Sequence, residues 1–162
     1  MAKAVLLAGK IASGKSHYAQ LYARRKQAMI LSCDDLFLTL FDGCLGDRHR
    51  EMERRAYQFF YRQAVQLVRL GIDALLDFGF WTAESRAEAV AFFSEQGIPV
   101  EIWYFETEDS LRKQRLAARN QRRQSSKTRE YIIDEAMLAR FDAQFEPPGE
   151  AEHVIYIKHI DK

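Results

Sequence analysis

Gly9-Lys10-Ile11-Ala12-Ser13-Gly14-Lys15-Ser16, written GKIASGKS, follows the apolar run AVLLA at 4–8 and precedes a stretch of helical spacing that reaches Lys26. Its fixed positions match GxxxxGK[S/T], and each has a chemical reason. Glycines let successive backbone N–H groups curl around an anion, Lys15 places a point charge at β and γ phosphates, and the Ser16 hydroxyl suits Mg²⁺. A chance match arises in roughly one of two hundred chains of this length. The preceding strand and following helix argue further against a mere Gly-rich turn. Residues 9–16, with His17 beside them, are therefore the expected contacts of a nucleoside triphosphate.

Five short apolar runs read as strands: 4–8, 28–32, 74–78, 100–105 and 154–157. Most lack strict alternation, the pattern of strands covered on both faces, and helical segments separate them; both features belong to a parallel sheet with right-handed crossovers. The longest helix is expected over 50–70, where Met52, Ala56, Phe59, Phe60, Ala64, Leu67 and Leu70 recur at steps of three or four before Gly71. Another begins near Ala83 and stops at Gly97 and Pro99, and Pro147-Pro148-Gly149 breaks the chain before the last strand. The fold expected is a three-layer α/β sandwich, and 162 residues without a linker read as one domain over 1–162. A net charge of +1 gives no bulk attraction to nucleic acid, and no apolar run is long enough to span a bilayer, so the cytoplasm is the default location. Cys33 and Cys44, with no CxxC spacing or His cluster, read as free thiols.

The nucleotide reads as ATP. Asn120 is the sole asparagine, which rules out a guanine-reading NKxD, and no DxxG is present. Asp77-Phe78-Gly79 has the letters of a protein-kinase motif, but the chain is too short and lacks the catalytic-loop pattern. Asp77 instead ends the strand ALLDF, at the sheet edge where a carboxylate can hold Mg²⁺ or its water; the alternative is a turn cap. The second strand ends in Ser32-Cys33-Asp34-Asp35. Phosphoryl transfer to a hydroxyl needs a proton acceptor near the in-line position, and Asp34 is the candidate base. In extended chain Asp35 faces the other side, or it caps the segment that follows; the competing reading is that both are solvated turn acids. Arg112 to Arg129 carries eight basic residues and no acid. Arg115 and Arg119 share a helical face, and the weakly apolar second half, QRRQSSKT, is expected to be mobile. The whole, about 112–130, reads as a cationic lid that brings Arg115 or Arg119 to the transition state. A solvated basic helix and a nucleic-acid patch are the competing readings.

These parts in this order resemble the small P-loop kinases, the group that includes gluconate, shikimate, adenylate and polynucleotide 5'-hydroxyl kinases, chloramphenicol phosphotransferase and the zeta toxins. Three blocks carry the resemblance over essentially the whole chain: GKIASGKS, the strand-end CDD, and RLAARN followed by MLARFDAQFEPPGEAEHVIYI. It implies sheet order 2-3-1-4-5, ATP with Mg²⁺, Asp34 as base, and Arg115 or Arg119 from the lid. Two departures concern the acceptor. The acidic and His-Pro segment of gluconate kinases is replaced by CDDLFLTLFDG, and Phe37 stands where polynucleotide kinases have Arg. The segments after strands two and three are therefore expected to line the acceptor side, with Asp35, Phe37, Arg48, Arg50, Trp81 and Arg86 as candidate contacts. His49, between two arginines, reads as a surface residue. A kinase for a hydroxyl-bearing small molecule is the leading expectation. The alternatives are an ATP-dependent switch and a polynucleotide 5'-hydroxyl kinase.

Overall fold

The computed structural model describes residues 1–41, 45–125 and 131–158. Expectations that fall on 42–44 and 126–130, Cys44 and the end of the lid among them, lie outside the described residues.

The central strand β1 (Ala4–Ala8) is apolar at every position and wholly buried, because it has strands on both sides and helices on both faces. It runs parallel to β3 (Asp73–Gly79) on one side and β4 (Val100–Tyr104) on the other. β2 (Ala28–Ser32) lies outside β3 and β5 (Val154–Tyr156) outside β4, which gives the order β2-β3-β1-β4-β5. All pairings are parallel, as the buried, non-alternating strands implied. The edge strands are less covered, and Met29 and Tyr156 stand open to solvent.

One face of the sheet packs against α1 (Lys15–Arg25), which meets Val5, Leu7, Leu75, Trp103 and Phe105 through Ala19, Tyr18 and Tyr22. The other face takes α3 (His49–Arg69) and α4 (Ala83–Glu95) through Ala64, Val65, Val68, Ala89 and Phe93. A short 3₁₀ turn, Gly46–Arg48, leads into α3. After β4 come α5 (Asp109–Ser125) and α6 (Glu135–Asp142).

One local expectation is corrected. Cys33, Asp34 and Asp35 do not extend β2; they form the first turn of α2 (Cys33–Phe41). The Ser32 hydroxyl accepts the Asp35 N–H at 3.2 Å, as an N-capping side chain does, and the two acids then stand at the positive end of the helix. In register, Ser32 lies opposite Asp77 and Ala8 opposite Gly79, so the ends of β1, β2 and β3 converge at one edge.

Candidate active site

The loop between β1 and α1 is built to leave amides available. Gly14 precedes the helix at φ 94°, no side chain caps it, and its first turn has no acid. A helix start without its own cap keeps its first N–H groups and the positive end of its dipole for an anion. Gly9 is needed for space: a Cβ there would lie 2.9 Å from the Phe105 carbonyl oxygen and the Ser13 hydroxyl. Ala12 adopts φ 60°, a left-handed conformation that is strained for a residue with a side chain.

Lys15 folds back into the loop and donates to the carbonyls of Gly9 at 2.9 Å and Lys10 at 2.8 Å. Burial holds its pKa below the usual lysine value, while the charges of Asp77 and Asp34 act in the opposite direction. Lys10 turns outward, its ammonium 3.6 Å from Asp109, and His17 is exposed on the first turn of α1. The Ser16 hydroxyl donates to the Asp77 carboxylate at 2.6 Å. Two adjacent hard oxygen donors fit Mg²⁺, which prefers oxygen ligands and keeps much of its water. Among the described residues, no group of three or more His, Cys, Asp and Glu could hold a metal by itself. Ser16 and Asp77 would therefore share the ion with phosphate oxygens and water.

Asp34 is exposed in the first turn of α2, yet enough protein surrounds its carboxyl to push the pKa up to about 6. Desolvation is the main cause; Asp77 and Glu53 push the same way, and Lys15 and Arg119 oppose them. Arg119 bears on Lys15 as well. Lys15, Ser16, Asp34, Asp77 and Arg119 thus share one electrostatic neighbourhood. Arg115 is half-buried on α5, one turn before Arg119, and Leu116 beside it belongs to the apolar cluster against which Ile11 and Ala12 pack.

Several expected contacts are placed differently. Arg86 is fully buried and bound within the protein. Its guanidinium forms a two-point pair with Glu152, at 2.6 and 2.9 Å, and donates to the carbonyls of Phe80 and Glu146. Phe37 is core, 2% exposed, among Cys33, Ala56 and Phe60. Trp81 packs against Phe141 of α6, with ring centroids 5.3 Å apart. His49 is half-buried and its ring lies 5.3 Å from that of Phe37, so it is not a free surface residue. Asp35 is exposed in the first turn of α2, and Arg48 and Arg50 are exposed at the start of α3. Arg112 opens the basic run but is 1% exposed and paired with Asp109 and Asp142, so it does not belong to a mobile cover.

The sequence reading also passed over residues that shape this site. The Thr107 hydroxyl donates to the Ser13 carbonyl at 3.0 Å, which ties the end of β4 to the phosphate loop. Glu53 accepts from the Tyr57 hydroxyl at 3.3 Å and adds negative charge near Asp34. Its signal was an acid in register with the apolar stripe Ala56, Phe60 and Ala64 of α3.

The profile of the AAA_33 family, described as an AAA domain, matches residues 5–148. No curated protein matches the chain. Among solved structures, Chaetomium thermophilum Kti12 in complex with ADP-AlF3 aligns at a TM-score of 0.68 and 14% identity, over 94% of this chain and 88% of that one. The Mycobacterium tuberculosis APS kinase CysC, in complex with AMPPNP and APS, aligns at 0.60 and 19%, over 98% and 90%. A gluconokinase from Sinorhizobium meliloti 1021 aligns at 0.63 and 12%, over 97% and 83%. At such identities the likeness concerns the fold: a five-stranded P-loop kinase-like sheet with helices on both sides.

Proposed function

The chain belongs to the AAA_33 family, and from that premise we propose that it is an ATP-dependent phosphotransferase whose acceptor is a hydroxyl group. The observation that carries the reading is Asp34, a carboxyl raised to about 6, in the field of the phosphate-loop lysine and of Asp77, to which the loop serine donates. A switch that only holds nucleotide needs no carboxylate there.

In this reading the loop amides and Lys15 hold the β and γ phosphates of ATP. Ser16 and Asp77 hold Mg²⁺, which when bound supplies charge neutralisation to the phosphates. Asp34 takes the proton of the acceptor hydroxyl as its oxygen bonds to the γ phosphorus. The bond from that phosphorus to the β–γ bridging oxygen breaks, and ADP leaves. Arg119, with Arg115 as the neighbouring candidate, meets the charge on the migrating phosphoryl group. The acceptor enters from the α2–α3 corner, past Asp35, Arg48 and Arg50.

The test is ADP release measured against hydroxyl-bearing metabolites, nucleosides and a 5'-hydroxyl oligonucleotide, on the wild type and on Asp34→Asn. At least one acceptor should raise ADP release well above the basal level, and Asp34→Asn should abolish that increment while still binding ATP. Basal ADP release that no acceptor raises would favour a nucleotide-dependent switch instead.

A further inference from the structure

The buried cation Arg112 has a geometry that the mechanism above does not use. Its Nε donates to the carbonyl oxygen of Ile11 at 2.9 Å, on the outer limb of the phosphate loop. The two terminal nitrogens are fixed from behind. They donate to both oxygens of Asp142 on α6, at 3.0 and 2.6 Å, and to Asp109 at 2.6 Å. All three guanidinium nitrogens are thus engaged, and the fork cannot turn without breaking charge-assisted bonds.

That orientation has a consequence across the peptide plane. The peptide joining Ile11 to Ala12 is trans, so its C=O and N–H point in opposite directions. A carbonyl drawn outward to Arg112 aims the Ala12 N–H away from α5. Ala12 is also the loop residue strained at φ 60°, so an external restraint is needed to hold this conformation against relaxation. Ile11 and Ala12 also pack against the apolar cluster that Leu116, one turn after Arg112, forms with Ile133 and Leu138.

We propose that Arg112 is a positioning residue for the donor site: by fixing the Ile11 carbonyl it presents the Ala12 N–H to the nucleotide's phosphates. The proposal rests on the nucleotide-binding reading of this loop. Its role is not to touch the nucleotide. It transmits the placement of α5 and α6 to the loop's amides, so affinity for a polyphosphate depends on an ion pair outside the phosphate site.

The test compares wild type, Arg112→Lys and Asp142→Asn in displacement of a fluorescent ATP analogue by MgATP and by tripolyphosphate, with melting curves of the nucleotide-free proteins. Lysine keeps the charge and can pair with Asp142, but it cannot also donate to Ile11 from a fixed fork. Arg112→Lys should weaken MgATP and tripolyphosphate by a similar factor, about tenfold, in protein that still melts cooperatively. Asp142→Asn should weaken both by a smaller factor, and it provides the comparison should Arg112→Lys not fold. Wild-type affinity in the folded variants, or weakening of ATP without weakening of tripolyphosphate, would overturn the proposal. A wild type that binds neither ligand overturns the nucleotide reading itself, and is told apart because no variant is then needed to see it.

Discussion

Asp34 is subject to opposing demands from its neighbours. Desolvation and the charges of Asp77 and Glu53 favour the protonated acid, whereas Lys15 and Arg119 favour the carboxylate. The balance at about 6 lets the residue be ionised near neutrality while remaining a useful proton acceptor. If Asp34 is the base, kcat/KM for transfer rises with pH through about 6 and levels above it, and this limb is absent from Asp34→Asn. Loss of transfer in that variant should be about 10²- to 10⁴-fold, the usual contribution of a positioned base. The same shift has a consequence for stability. Folding raises this pKa from 3.8 to about 6, so between those values the native state holds a proton that the unfolded chain has released. Stability therefore falls as pH rises through that window, and the charged form is the unfavourable one above it. Asp34→Asn should melt at a higher temperature than wild type at pH 7.5, and the gain should vanish near pH 4. A variant that is less stable at both pH values would mean that the carboxylate is a structural partner instead.

At the scale of elements, the decisive contacts join residues far apart in sequence. Arg86 starts on α4 but holds Glu152, just before β5, and the Phe80 carbonyl, in a turn where Phe80 itself has φ 44°. That turn touches the phosphate loop, because the Gly9 N–H donates to the Gly79 carbonyl at 3.2 Å. Gly79 tolerates nothing larger: at φ 83°, a Cβ would stand 2.6 Å from the Trp81 indole nitrogen. Removing Arg86 leaves Glu152 with only the Gly149 N–H and takes the guanidinium from two carbonyls, and breaking such a buried pair costs about 3–5 kcal/mol. Arg86→Ala should lower the urea midpoint accordingly, and Arg86→Lys should recover little, since an ammonium cannot reproduce the two-point pair. These contacts show why Arg86 has the look of a ligand contact in sequence. In FGFWTAESR an arginine beside aromatics looks like a ligand site, and nothing in sequence says that Glu152, 66 residues on, occupies it. Arg112 was merged into a basic run for the same reason, since Asp142 lies 30 residues away. The start of α2 was different. Ser32-Cys33-Asp34-Asp35 has the [ST]-x-x-[DE] form of a helix start, so that turn is legible in the sequence, although the apolar run before it invites an extended reading of the two acids.

Over the whole molecule, what could be read from sequence was what local pattern determines. GKIASGKS needs each of its fixed residues for a stated reason, and AVLLA has no polar side to expose, so the loop and the central strand followed from composition alone. Strand order did not, because a parallel sheet is assembled by crossovers, and apolar runs carry no record of their neighbours; there the resemblance supplied the order. The assembled sheet brings three strand ends to one edge, and with them an unfavourable set of charges: Lys15 is buried with its pKa lowered, and the charge of Asp77 raises the cost of ionising Asp34. Bound phosphates would give Lys15 the counter-charge that Asp77 and Asp34 supply only in part. Occupation by MgATP should therefore stabilise the whole chain by mass action, about 2.7 kcal/mol at a hundredfold excess over Kd. For a chain of this size that corresponds to a rise in Tm of roughly 5–10 °C. Lys15→Ala should lose most of this increment, because it removes the charge that the phosphates meet. Asp34→Asn should keep it in full, because the proposed task of Asp34 begins only when an acceptor arrives. Thermal shifts of the three proteins with MgATP separate the two roles without any knowledge of the acceptor: if Asp34→Asn loses the increment as Lys15→Ala does, Asp34 belongs to nucleotide binding and the base must be sought elsewhere on the α2–α3 corner.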